Sequence, residues 1–459
     1  MRHSGRGVIA LLVAWCAAAP LADSTTPALP TVITNVAVMD AEGHVGPRRD
    51  VLIAEGLIVG IESVGNGWSD PNISVVDGTN RTLLPGLIDV HVHLGSTFAA
   101  PDRLRIPNPK KNLQALLYAG ITTVLDLSME RDAIDRLDER IGAGRLTGPD
   151  LFRSGRPYTA PGGHPIASIR SLYPGLLVKV ATARIANTVE TADDVDDAVF
   201  RQGQTGFKKI MLDTIPSHSP VVSEEAAQRV RLAATALGDR LVAHVGSPMD
   251  VQRAIDLGVD ALAHAPSQGR ITTEQAIALR DAGIEVTPTL IVWERVAQVH
   301  QGAVPSIPLE QELLTRRQVR DLARMRDGDS PLRGVMGEWA DQVVPALDDR
   351  TANLRVLRDN DVTVLVGSDS PGLGLPAGAG LHSEMAALLD AGLDRPTVLR
   401  AVTWENSRFL DPDARFGAIR PGWEADLLLV EGNPEHDLTA LQRIVDVWTD
   451  GRRVSRHAQ

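Results

Sequence analysis

Cysteine is almost missing: Cys16 is the only one in 459 residues. Disulfides, a thiol nucleophile and a cysteine-ligated metal are therefore excluded from the chain beyond residue 16. Any metal site must be assembled from His, Asp, Glu or Lys. Aromatic residues are scarce too, at 3%, so the core must be built mainly from Ala, Val, Leu and Ile. Positive charge is in deficit, with a formal net charge of -12. That balance argues against nucleic acid as a partner, because phosphate binding needs a basic face.

What is present begins with a leader. Arg2 and Arg6 precede an apolar run from Val8 to Ala19, followed by small residues near Ala22. This is the layout of a secretory signal peptide over 1–22, and the run is too short to anchor the chain in a bilayer. Trp15 before Cys16 is a poor fit to a lipoprotein signal. Export, to a bacterial periplasm, is the expectation, with no membrane insertion after cleavage.

Residues 31–65 and 416–454 share a texture of short β-branched runs broken by Gly, Asn and Asp, as in antiparallel strands and hairpins. The middle alternates differently. Apolar strand-like runs such as "LIDVHVHL", "GITTVLDLS", "GFKKIMLD", "RLVAHVGS" and "VTVLVGSDS" are separated by helical stretches with apolar residues three and four apart. Eight such runs alternating with helices predict a (β/α)8 TIM-type barrel. The fold class is then α/β, with a small β-sandwich domain formed from both termini. The expected boundaries are 23–84 and 413–459 for the sandwich and 85–412 for the barrel. Residues 293–350 are helical, charged and too long for an ordinary connection, which predicts an insertion near the strand ends.

In "LLPGLIDVHVHLG", residues 83–95, His91 and His93 share one face of a strand while Val90 and Val92 share the other. Paired imidazoles in an apolar stretch need partners. A metal ion is one; hydrogen bonds on an edge strand are the alternative. Lys209 lies in the fourth run, His244 ends the fifth, His264 the sixth and Asp369 the eighth. Each alone has an ordinary reading: a satisfied polar histidine, a solvated lysine, an aspartate capping a turn. Parallel strands of a barrel converge at their C-terminal ends, so the six side chains would meet around one point. A metal site is the reading that explains all six together.

The chain resembles the amidohydrolase superfamily, in the branch of imidazolonepropionase-like enzymes and metal-dependent Xaa-Pro dipeptidases. The matching stretches are "PGLIDVHVHL", "GITTVLDL", "FKKIMLD", "AHVGS", "GVDALAHA", "GSDS", "LHSEMAALLDAGL" and "FGAIRPGWEADLLLVEGNP". The resemblance implies two divalent metal ions, usually zinc. By position, His91, His93 and Asp369 would hold the first and His244 and His264 the second. Lys209 would carry carbon dioxide as a carbamate and bridge them; an ammonium is a donor only and cannot bind a cation. Lys208 departs from the family pattern, and alternation points it away from the site. His164 matches a loop histidine of relatives. It either contacts the substrate carbonyl or oxyanion, or stabilises its loop by a hydrogen bond. His218 is read as a solvated loop residue and His382 as a support of the fold.

The reaction this implies is hydrolysis of the carbon–nitrogen bond of a dipeptide or N-acyl amino acid through a metal-bridging hydroxide, with Asp369 as general base and then acid. Three rivals stand beside it. Mononuclear deaminases of the superfamily place a glutamate three residues after the fifth-strand histidine, where this chain has Ser247. Lactone or phosphoester hydrolysis on the same metals is the second. A metal-free scaffold is the third, although no ligand position is missing. Relatives are often oligomeric, so a homo-oligomer is an expectation of the resemblance alone.

Overall fold

A computed structural model describes residues 29–456 apart from 66–67, 69, 101–104, 173–174, 176–177, 179–181, 183–184, 216–217, 306 and 327–331. The leader expected over 1–22 lies outside the described residues.

The architecture is mixed α/β. Parallel strands at Leu87–Val92, Ile121–Asp126 and Asp150–Arg153 pair in chain order. A second parallel series runs through Phe207–Met211, Arg240–His244, Ala261–Ala263 and Glu285–Thr287. Single bridges join Arg153 to Gly206, Val286 to Val364 and Val92 to Ser370. Backbone pairing thus returns from residues 364–370 to the first strand, where Asp369 N donates to His91 O at 2.7 Å. Parallel strands require crossovers, and helices supply them, among them Pro109–Tyr118, Glu224–Leu237, Pro248–Leu257 and Thr273–Asp281. Ser223, Ser247 and Thr272 begin three of these by accepting from backbone amides of the first turn, so each loop after a strand ends in a built cap.

Strand character fades along residues 364–370, which pair only through bridges. Gly367 explains the close passage there: a Cβ at that position would meet His91 Cβ at 2.7 Å. Asp369 then takes a φ of 54° and leaves the extended conformation altogether.

Strands from both ends of the chain share a separate sheet. Arg81–Pro85 pairs antiparallel with Leu427–Glu431, setting Leu83 against Leu429, and the same sheet continues through Thr31–Met39, Val45–Ala54 and Leu57–Ser63. One face buries Ile33, Val51, Ile58, Leu427 and Trp448.

Residues 290–343 contain helices at Leu290–His300, Pro308–Leu313, Arg316–Arg324 and Val335–Val343. Their shared core, with Trp293, Met325 and Trp339, includes Phe98 from the loop after the first strand and Ile215 from beyond Met211. The insertion therefore packs over the C-terminal ends of the strands. Among the described residues no helix is long and apolar enough to cross a membrane.

Candidate metal centre

The side chains at the strand ends converge. His91 and His93, two residues apart on the strand Leu87–Val92 and just past it, both reach Asp369: Nε2 of His93 lies 2.6 Å from Oδ1 and Nε2 of His91 3.3 Å from it. Lys209 Nζ sits 3.3 Å from His91 Nε2. From the next strands, His244 Nδ1 faces His264 Nε2 at 2.8 Å. His264 Nε2 is 4.0 Å from the other oxygen of Asp369, which links the two halves. All six predicted ligand residues are thus gathered in one place. Lys208 points elsewhere, to Asp239 at 2.8 Å.

Burial sets the charge states. It drives the pKa of His91 well below the ordinary value, with Lys209 adding to the effect, and does the same to His264 with help from His244. Both rings are therefore neutral near pH 7, the form that offers a lone pair to a metal. Burial also pushes the Lys209 amine down to about 8, against the pull of Asp369 and Asp213. Burial would raise Asp369, but His93 and Lys209 more than offset it and hold the carboxyl below its usual range.

Two of the distal nitrogens are pinned. His93 Nδ1 meets Ser128 Oγ at 2.7 Å, and His264 Nδ1 makes a short contact with Thr289 Oγ1. Asp89 Oδ1 accepts from His91 N and Ser368 N, tying the first strand to the Asp369 loop. His264 and Asp369 hold φ values of 80° and 54°. Such backbone costs about 1–3 kcal/mol per residue and persists where its surroundings over-determine it.

His164 is brought to the same place, its ring stacked on His244 at 4.7 Å between centroids. Its Nδ1 lies 2.9 Å from Ser168 Oγ and 3.2 Å from the carbonyl of Ile215. A carbonyl only accepts, which puts the ring proton on Nδ1 and leaves Nε2 as an acceptor. His218 is exposed. His382 is buried, with Nε2 2.9 Å from Ala119 O, in a supporting role.

Sequence reasoning passed over Asp213, Ser128 and Thr289. Asp213 is buried and its Oδ2 lies 3.5 Å from His244 Nε2. Counting by twos from Lys209 through Met211 reaches it, so strand alternation carried a signal. The two hydroxyls carried none.

These residues fit divalent cations. Neutral imidazole nitrogens and an ionised carboxylate oxygen point at one another with too few protons to pair them all. His91, His264 and Asp369 form one group able to hold an ion; His164, Asp213 and His244 form another. His91 Nδ1, His244 Nε2 and Asp213 Oδ1 are buried without a hydrogen-bond partner.

Fold and site together define an α/β protein with a candidate metal centre at its strand ends. The amidohydrolase family profile matches residues 82–454, and the chain belongs to that family. Ochratoxinase of Aspergillus niger is 22% identical over 476 residues, spanning 94% of this chain and 87% of that one. Adenine deaminase 2 of Shouchella clausii is 32% identical over 95 residues, which is 21% of this chain and 15% of that protein. The solved structure of a Xaa-Pro dipeptidase with bound methionine in the active site is similar in fold, with a TM-score of 0.74 and 21% identity over 93% of this chain and 99% of that one.

Proposed function

We propose that this protein is a metal-dependent hydrolase of a carbon–nitrogen bond in a small substrate, a dipeptide or N-acyl amino acid. The convergence of His91, His93, Lys209, His244, His264 and Asp369 carries the reading. Membership of a metal-dependent hydrolase family supports it, as does likeness over nearly the whole chain to ochratoxinase and to a dipeptidase. We read the parallel ring as a (β/α)8 barrel over 85–412, and the end sheet as a sandwich domain over 23–84 and 413–459. Zinc is the expected metal, with Lys209 as a carbamate, and the protein is expected in the periplasm.

In this reading His91, His93 and Asp369 would hold one ion and His244 and His264 the other, with Lys209, as a carbamate, serving both. Bound there, the ions supply an acidified water and polarise the scissile carbonyl. Asp369 is anionic at neutral pH. Its Oδ2 takes the proton of the attacking water and returns it to the departing nitrogen, which leaves only as an amine. His164 directs Nδ1–H to Ser168 and Ile215 O, the loop-stabilising alternative. Its Nε2, an acceptor, would meet a substrate N–H rather than the carbonyl or oxyanion that the resemblance implied. Trp293, whose ring edge lies against His264 at 5.4 Å, belongs to the apolar wall that excludes bulk water.

Deamination is the second reading, favoured by the short match to adenine deaminase 2. The position where such enzymes carry a glutamate is Ser247, whose hydroxyl is spent on capping a helix through Asp250 N. The deciding experiment is mass spectrometry of pooled dipeptides and N-acyl amino acids incubated with metal-loaded protein and, in parallel, with His91→Ala. Substrates split in two with one water added, only with the unsubstituted chain, support hydrolysis. Ammonia released from an intact carbon skeleton supports deamination. No turnover by a metal-replete protein moves the search to lactones and phosphoesters, and a protein that takes up no metal is the scaffold.

A further inference from the structure

Asp213 stands beside the proposed ligands without belonging to them. Its side chain is fully buried, and Oδ2 accepts from Ile215 N at 3.0 Å. The same oxygen lies 3.5 Å from His244 Nε2 and 4.0 Å from His164 Nδ1. Both His244 Nε2 and Asp213 Oδ1 are buried without a hydrogen-bond partner. A buried polar atom left unmet costs about 1–3 kcal/mol, so two on adjoining groups call for an arrangement that satisfies them.

His244 differs from the other ligand histidines in what stands behind it. His93 and His264 are backed by the hydroxyls of Ser128 and Thr289. His244 is backed by a carboxylate. Its forward nitrogen, Nδ1, faces His264 Nε2 at 2.8 Å. Two nitrogens on one tetrahedral zinc ion, each bonded at about 2.0–2.1 Å, lie roughly 3.3 Å apart. Seating an ion between these rings therefore parts them. Nε2, on the far side of the His244 ring, has the Asp213 carboxylate as its neighbour at 3.5 Å.

We propose that Asp213 is a positioning residue for the second metal. It accepts a hydrogen bond from the Nε2–H of His244, which fixes the tautomer that turns the Nδ1 lone pair toward His264. It also makes the imidazole a stronger donor by placing a negative charge behind it. Its contact with Ile215 N joins this pair to the His164 loop, because Ile215 O is also the partner of His164 Nδ1.

The inference rests on the metal-centre reading above but not on any turnover. Its test is zinc affinity of the full chain, measured by dialysis against buffered zinc with elemental analysis, for wild type, Asp213→Ala and Asp213→Asn. The expected result is that one of two ions binds about 10–100-fold more weakly in Asp213→Ala. Asp213→Asn, which keeps an acceptor but not the charge, should fall between. Added to His244→Ala, Asp213→Ala should cause no further loss, because the residue acts through that ring. Cobalt(II) in the second position should show a shifted visible spectrum in Asp213→Asn, a change that a purely structural role would not produce. Wild-type zinc affinity in both single variants would overturn the proposal, as would an equal further loss in the His244→Ala background. Loss of a whole ion that His164→Ala also removes would overturn it too, by making Asp213 a ligand with His164. Because occupancy is read without substrate, a protein that binds two ions and hydrolyses nothing would contradict the proposed activity and leave this test intact.

Discussion

Lys209 Nζ lies 3.3 Å from Nε2 of His91 in full burial, an amine set against the imidazole nitrogen whose lone pair a metal would need. Burial pushes the amine down to about 8, so a useful fraction is unprotonated near neutral pH and able to take up carbon dioxide. The expected outcome for Lys209→Ala is loss of bound zinc and a fall in kcat/KM of at least about 100-fold, as expected where a group that holds the metal is removed. Propionate should restore part of both, because a small carboxylate can occupy the vacated space. Zinc content and activity with and without propionate check this; full activity without added acid would contradict it.

Asp369 is poised to move protons. Its two oxygens lie within 4.0 Å of ring nitrogens of His91, His93 and His264. Asp369→Asn keeps the shape and removes the basicity, so kcat should drop by about 10²–10⁴-fold with a smaller change in KM. Metal analysis of the same preparation separates a lost proton carrier from a lost ligand.

Ser128 holds His93 through its distal nitrogen at 2.7 Å. Ser128→Ala leaves the backbone turn in place, since Asp126 Oδ1 still accepts from the amides of residues 128 and 129. Zinc affinity or kcat/KM should fall by about 10–100-fold while the thermal midpoint stays close to that of the wild type. A collapse of the thermal midpoint would show a structural role instead.

Far from the site, Asp150 and Asp426 meet where the strand Asp150–Arg153 abuts the end sheet. Burial raises both above the ordinary value of 3.8, Asp150 to about 7 with the charge of Asp450 adding, and Asp426 further with that of Asp150 adding. The native state thus holds a proton that the unfolded chain releases near 3.8. The stability this contributes is complete below 3.8 and is lost as pH rises through about 7. Asp426→Asn keeps the Oδ1 acceptor for Asp450 N and gives Asp150 a donor. It should raise the melting temperature at pH 8 by several degrees and flatten its slope between pH 6 and 8. Calorimetry across that range checks both; a slope like that of the wild type would refute the assignment.

The strand ends were legible because chemistry-bearing residues stand out at the close of apolar runs: His91, His244 and His264 need no partner sequence to be noticed. The joining of residues 81–85 to 427–431 was not legible, since β-rich texture at both ends says nothing of which strands pair. The eighth run reads as a strand in "VTVLVGSDS", yet the approach of Gly367 to His91 and the left-handed backbone at Asp369 replace ladder pairing with bridges. Asp213 follows the alternation set by Lys209 but reads equally as a turn residue after a strand, whereas for Ser128 only tertiary placement sets it behind a histidine. Trp293 reads as one residue of a charged helical insertion; its seat against His264 follows from how that insertion folds back over the strand ends.

The claim that these strand ends form a metal centre is tested most directly by elemental analysis of the purified, zinc-loaded chain beside His91→Ala and His264→Ala. The account predicts two tightly bound ions per wild-type chain, with His91→Ala losing the ion shared with Asp369 and His264→Ala the ion shared with His244. A wild-type chain that retains no metal, or variants that retain as much as the wild type, would contradict it.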